Sequence, residues 1–355
     1  MDELKDKLEL IESVRLSESS DFNCDEEEVL KEYKKKAKNT SSLGIKILSI
    51  FGGLLATSFF MSSLGLTGIY ESDIGMTIFG LILIVVAIGV NKKKDEIIID
   101  TFIVSAYVLG YILLGIGLSM FKVEENIIAL IVGCIAVTSL IVTQNYIQSF
   151  LSFIVVFGVL VFFIVYNESF YFIHLYILAL TAFITYFYTN EAKLVSSNIK
   201  ISKLYKPLRI ALIFAFFGAI AVVVFLPSDY DNLNWLSSIF IGLALVYLVS
   251  ILIKLNEIDS KGSIMIYSLS ALVIISTIMA PSILGALLVV LLSFLVNYKT
   301  GFGLGIIALL YFISQFYYDL SFSLLIKSGM LFFSGLIFIS LYLFTTNTFS
   351  KNEKI

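Results

Sequence analysis

The chain has 355 residues, of which 59% are hydrophobic and only 14% charged, with a formal net charge of −3 and a mean hydropathy of +0.97. A soluble domain carries about 25% charged residues, so this chain lacks the polar groups to cover a surface in water, and its solvent is a lipid bilayer. One histidine and two cysteines, Cys24 and Cys134, exclude a disulfide framework and a zinc cluster of the usual nitrogen and sulfur ligands, and no cofactor or nucleic acid is expected.

Residues 1–42 are rich in Asp, Glu and Lys and contain no apolar core, so the tail reads as retained cytoplasmic chain rather than a signal peptide. Leu4, Leu8, Ile11 and Val14 fall at helical spacing and predict an amphipathic helix over 2–16. A linker over 17–23 then leads to a second helix over 25–38, acidic at its start and basic at its end, as suits the helix dipole. Either this is a solvated lead-in to the first span or an arm for a cytoplasmic partner.

A spanning helix needs about 20 apolar residues. Runs of that size predict spans at 43–66, 74–90, 97–120, 126–143, 146–166, 169–188, 207–226, 232–253, 263–279, 281–297, 301–318 and 322–344. The fold class is therefore an all-α transmembrane bundle of about twelve helices. The run 263–297 is divided at Ala280-Pro281, because proline disfavours helix in the residue before it. Asn167-Glu168 alone separates the fifth and sixth spans, enough for a tight turn.

Basic residues collect on the cytoplasmic side of short loops. With the N-terminus inside, the inner segments from Lys31 onward hold nineteen Lys and Arg residues, whereas the outer loops hold Lys122 alone beside Glu71, Asp73, Glu124, Glu125, Glu168, Asp229, Asp231 and Asp319. Both ends of the chain then lie in the cytoplasm, the C-terminal one as a short tail over 345–355. The loops are too short to hold a catalytic domain outside the membrane. Tyr166-Asn167-Glu168-Ser169-Phe170 and Tyr318-Asp319-Leu320-Ser321-Phe322 resemble each other, which suggests two parallel six-helix halves over 43–188 and 207–344. Their joint would be the long basic loop over 189–206.

Ionisable groups inside a bilayer are costly and each is a functional candidate. Lys327 is the sharpest, set roughly 9 Å below the outer boundary of the twelfth span at 1.5 Å per residue. It could pair with Asp319 or hold an anionic substrate group; equally it could snorkel to the interface or lock two helices as an ion pair. His174, with Glu168 just outside its span, offers proton relay or a plain hydrogen bond. Lys327, Asp319, Glu168 and His174 together form the candidate substrate-binding set. Asp100 and Gln315 read as interfacial and helix-pairing residues, and Gln144, Asn145 and Gln148 as an uncharged inner turn.

Gly301-Phe-Gly-Leu-Gly305 lacks the strand and the lysine-hydroxyl ending of a phosphate loop and is not a nucleotide site. Glycines 52, 53, 110, 115, 117, 133, 285, 329 and 335 read as close-packing points between helices. Trp235 with Tyr166, Tyr171, Tyr230, Tyr317 and Tyr318 forms an aromatic belt at the outer boundary.

The C-terminal third carries a pattern of its own: Pro281 leading one helix, Gly301, Gly303 and Gly305 opening the next, then Tyr317-Tyr318 and Leu324-Leu325-Ile326-Lys327-Ser328, with Gly335 following. In these features the chain resembles the bacterial family catalogued as domain of unknown function 4401. The resemblance implies a multi-spanning bacterial inner-membrane protein. It also implies, as a partner, a membrane-anchored protein bearing a Gly-Asp-Tyr-x-x-Leu-x-Tyr motif. It supplies no reaction.

Three function classes follow. The first is a carrier for a small or lipid-linked solute, with a polar site towards the outer leaflet. The second is a non-transporting scaffold or envelope component acting through partners, and the third a lipid-modifying intramembrane enzyme. A central polar cavity favours the first, a closed dry bundle the second, and a lateral outer-leaflet groove the third.

Overall fold

The computed structural model describes residues 43–90, 97–143, 145–225 and 233–319, with single residues and pairs between 325 and 339. The continuous described segments form twelve α-helices and one 3-10 turn, and no strand occurs among the described residues. They are α1 (Leu43–Gly65), α2 (Asp73–Val90), α3 (Ile97–Met120), α4 (Glu125–Val142), α5 (Tyr146–Tyr166) and α6 (Tyr171–Thr189). There follow α7 (Glu191–Ser197), α8 (Ile199–Val224), α9 (Asn234–Leu255), α10 (Ser260–Ser276), α11 (Pro281–Leu295) and α12 (Lys299–Asp319). Seven of these are long and apolar enough to cross a membrane, in keeping with a membrane-embedded helical protein.

Eleven of the expected spans correspond to helices, most within two or three residues at each end. The twelfth span, the N-terminal tail helices and the C-terminal tail lie outside the described residues. Length separates the rest: α11 has only 15 residues, about 22 Å at 1.5 Å per residue. That is short of a hydrocarbon core of about 30 Å.

The expected basic loop over 189–206 is instead helical, and this corrects the sequence reading. It forms α7 and the first two turns of α8, which starts at Ile199 rather than at Pro207. Asn198 caps α8 by accepting from the Lys200 N–H at 2.9 Å. The helix then runs through Pro207, although proline donates no backbone hydrogen bond and crowds the carbonyl four residues back. Tertiary contacts hold those early turns in place: Tyr205 stacks on Phe187 with ring centroids 4.4 Å apart.

Four helix ends share one local device. Lys122, Glu168, Glu257 and Asn297 all have positive φ, between 49° and 58°. Around Glu168, the Ser169 N–H donates to Ile164 O at 2.9 Å and the Glu168 N–H donates to Val165 O at 3.2 Å. This 6→1 and 5→2 pair is the Schellman closure of a helix, which usually uses glycine at the left-handed position. It makes the expected tight turn between α5 and α6 possible.

The chain divides into two compact units, 1–113 and 114–355. In the first, α1 and α2 are joined by the 3-10 turn Ile69–Glu71, whose Tyr70 hydroxyl donates back to Met61 O at 2.6 Å. A small core of Leu64, Met76 and Leu113 forms there. Gly110 lets α3 approach α2 closely, since a Cβ at that position would lie 2.9 Å from Gly80 O.

In the second unit α8 is central, packed on α5, α6 and α11, and α11 packs in turn on α9 and α12. Leu212, Ile213, Phe216, Ile220, Leu284, Leu288 and Leu292 are fully buried between these helices. Lipid tails are as apolar as leucine, so close fit rather than escape from water holds the helices together. The fit depends on Gly305, where a Cβ would sit 2.8 Å from Val290 Cγ2 and 3.1 Å from Val290 N, and on Gly285, which abuts Ile220. Gly301 and Gly305 are thus packing residues of α12 against α11. At glycines 52, 115, 329 and 335 a Cβ meets nothing within 4 Å among the described residues, so no close packing is seen there.

Candidate functional site

Side-chain contacts define two polar ends of the second unit. Asn126 at the start of α4 and Asn167 at the end of α5 exchange side-chain hydrogen bonds of 3.0 Å. The starts of α9 and α11 meet the ends of α8 and α12 at one cleft. This end gathers Glu124, Glu125 and Glu168 and is called the acidic end. The opposite, basic end gathers the starts of α7 and α8, with Lys193, Lys200, Lys203 and Lys206.

The acidic-end cleft has a volume of about 340 Å³ and forms where the chain breaks between α10 and α11. Ala280, with φ −123° and ψ 71°, precedes Pro281 at the first position of α11. That is the sequence expectation, with proline at a position whose N–H has no helical partner. The cleft is lined by Asn234, Ser282 and Gln315 between Val223, Met279 and Phe316. Among the described residues the buried Asn234 Oδ1 acceptor has no hydrogen-bond partner. No formally charged side chain is among the described lining residues, so the cleft offers amide and hydroxyl groups to a neutral or zwitterionic polar molecule.

One helical turn beyond Asn234 lies Ser237, whose hydroxyl is 2.7 Å from His174 Nδ1. His174 is 2% exposed and Ser237 fully buried, so this contact ties the first turns of α6 and α9 in a dry environment. Beside it, the fully buried Ser238 hydroxyl has no partner among the described residues. Polar groups therefore continue from the cleft into the bundle as Asn234, Ser237, Ser238 and His174.

Of the four sequence candidates, His174 sits in that buried pair and Glu168 is exposed at the α5–α6 turn. Asp319 ends α12 one turn after Gln315, while its side chain and Lys327 lie outside the described residues. The Asp100 side chain and Gln144 lie outside them as well. Asn145 caps α5 by accepting from the Ile147 N–H at 2.9 Å. Gln148 is not part of an open turn but buried, its amide 3.4 Å from the Ser139 hydroxyl.

The basic end holds a cluster that sequence reasoning missed, because Arg209 was counted only as one more inner charge. Arg209 Nη1 donates to Glu191 Oε1 at 2.9 Å, linking α8 to α7. Its Cζ lies 3.8 Å from the centre of the Tyr298 ring and 5.4 Å from that of Tyr205. Among the described residues its buried Nε has no partner, nor do the buried Tyr188 and Ser293 hydroxyls. A signal was available: Arg209 is one of only two arginines among 24 Lys and Arg residues, and arginine is the cation suited to stacking and forked pairing.

The features that opened the resemblance now have structural positions: Pro281 starts α11, Gly301 and Gly305 face it from α12, and Tyr317-Tyr318 lie in the last turn of α12. The family described as Domain of unknown function (DUF4401) matches residues 42–348. The chain belongs to this family. The DUF4401 match covers the first helices as well as the last, so the resemblance is not confined to the C-terminal third. No curated protein and no solved structure matches the chain.

Proposed function

We propose that this DUF4401 protein is a carrier for a small polar or lipid-linked solute, engaged at the acidic-end cleft facing away from the cytoplasm. The observation that carries the reading is the cleft at the α10–α11 break. An interrupted apolar run, an unpartnered Asn234 acceptor, Ser282 and Gln315 meet there in about 340 Å³. Discontinuous helices that free backbone groups near a cavity are how membrane carriers build polar sites in an apolar bundle. Asp319 is four residues beyond Gln315, and Lys327 follows in the next segment, so in this reading both extend the site and Glu168 lies at its rim. Two parallel halves over 43–188 and 207–344, an inner-membrane location and cytoplasmic termini belong to the same reading.

A second reading, a non-transporting scaffold, is favoured by the fully buried apolar packing of Phe216, Ile220 and Leu288 between the two polar ends. The readings separate on access. In a chain with Cys24→Ser and Cys134→Ser, Ser282→Cys is treated with a membrane-impermeant maleimide from each face of the membrane. A carrier exposes the thiol to both faces over time; modification from one face alone, or none, sinks the carrier reading.

A further inference from the structure

A second cavity lies on the flank of the bundle, between α6 and α9, with a volume of about 350 Å³ and a predominantly apolar lining. It starts at Leu178, near the middle of α6, and ends at Thr189 and Asn190, where that helix stops at the basic end. Leu178 and Thr189 are eleven positions apart on one helix, a length of about 16 Å at 1.5 Å per residue. Half of a hydrocarbon core of about 30 Å is nearly the same distance. The groove thus has the depth of a single leaflet, which suits one lipid chain. A second copy of a spanning helix would need the full thickness.

Two further observations select the kind of lipid. Thr181 is 2% exposed and Thr185 7%, both line the groove, and neither hydroxyl has a hydrogen-bond partner among the described residues. A buried hydroxyl without a partner is costly; both oxygens are closed to water, and an ester carbonyl lodged between α6 and α9 would supply the missing acceptor. Two exposed lysines stand where these helices end, with Glu191 beside them already paired to Arg209 and with Glu257 and Asp259 following α9. Lys254 lies seven residues beyond Tyr247 on the same stripe of α9 and is exposed, and Lys193 follows Asn190 in α7, also exposed.

We propose that this groove is a binding site for an anionic phospholipid of the leaflet at the basic end. The acyl chain lies along Leu178, Leu243 and Ala244, the ester oxygens meet Thr185 and Asn190, and the phosphate sits between Lys193 and Lys254. The site is separate from the acidic-end cleft and does not depend on the carrier reading.

The test uses the full chain in phosphatidylcholine vesicles doped with phosphatidylglycerol or with further phosphatidylcholine, each carrying a photoactivatable group on its acyl chain. Labelled peptides are mapped by mass spectrometry. The expected result is labelling concentrated on 178–190 and 240–247, with phosphatidylglycerol favoured about fivefold, the weight of roughly one lysine beside a headgroup. Lys254→Gln with Lys193→Gln brings the two lipids to parity without touching the packed helices, and Ala244→Trp, which fills the groove, removes labelling by both. Labelling spread evenly over the lipid-facing helices and unchanged by Ala244→Trp overturns the proposal. So does ready disulfide dimerisation of Ala244→Cys in the chain lacking Cys24 and Cys134, which would make the occupant a second copy.

Discussion

Arg209 sits over the Tyr298 ring, 3.8 Å from its centre, while its guanidinium holds Glu191 at 2.9 Å. One side chain of α8 thereby joins the short helix α7 to the turn that follows α11. A guanidinium does this better than an ammonium, because it is planar, weakly hydrated and presents several donors at once.

Arg209→Lys is therefore expected to cost about 1–2 kcal/mol of stability, the range of a partly desolvated cation–π contact. Glu191→Gln is expected to cost less, about 0.2–1 kcal/mol, since the Glu191 side chain is 33% exposed. Thermal unfolding in detergent compares the two. An equal or larger loss in Glu191→Gln would mean that the ion pair, not the aromatic contact, carries the clamp.

The left-handed residues at helix ends predict stabilising substitutions. Glu168 and Glu257 hold φ of 51° and 49° with a side chain attached. Glycine takes that conformation without steric cost, so Glu168→Gly and Glu257→Gly should each add roughly 0.5–1 kcal/mol. The turns are far apart in sequence, and the double variant should show nearly the sum. Lower unfolding temperatures in both would contradict the turn geometry.

Gly303 and Gly305 provide a matched pair on one helix. A Cβ at Gly303 meets nothing within 4 Å, whereas one at Gly305 meets Val290 backbone. Gly303→Ala should stay within about 0.5 kcal/mol of the natural chain. Gly305→Leu should lose about 1–3 kcal/mol through overpacking, read as a fall in folded yield and melting temperature.

Ser237→Ala would leave His174 Nδ1 buried without its partner, at a cost of about 1–3 kcal/mol. Adding His174→Phe should recover part of that loss, because no polar atom is then stranded. A thermal double-mutant cycle over the pair measures the coupling; additive effects would show that the 2.7 Å contact contributes nothing.

Lys327→Met tests the residue ranked first from sequence. A site role predicts loss of transport at unchanged protein levels, followed by immunoblot of membranes beside the transport assay. Loss of the folded protein itself would mark a structural ion pair.

Much of the fold was legible because hydropathy is local. α3 and α5 begin and end at the residues that composition marks, 97–120 and 146–166, and Pro281 marks the start of α11 because a missing N–H costs nothing there. The stretch 189–206 misled because its lysines look like a loop. Its helices are held instead by Tyr205 on Phe187 and Arg209 on Glu191, contacts that no local count contains.

The sequence by itself determined that the chain is built for lipid, where most of its described helices lie and which of their ends are basic. Each of these follows from sums over neighbouring residues. Only the tertiary structure decided that Asn234, Ser282 and Gln315 share a cleft, that His174 meets Ser237 and that Tyr298 covers Arg209. The physical reason is the solvent. In a bilayer the face of a helix towards lipid and the face towards its neighbours are both apolar, so periodicity does not say which side chains turn inward to meet. Close packing around small residues such as Gly305 and Gly285 makes that choice, and it can be read only once the helices are assembled.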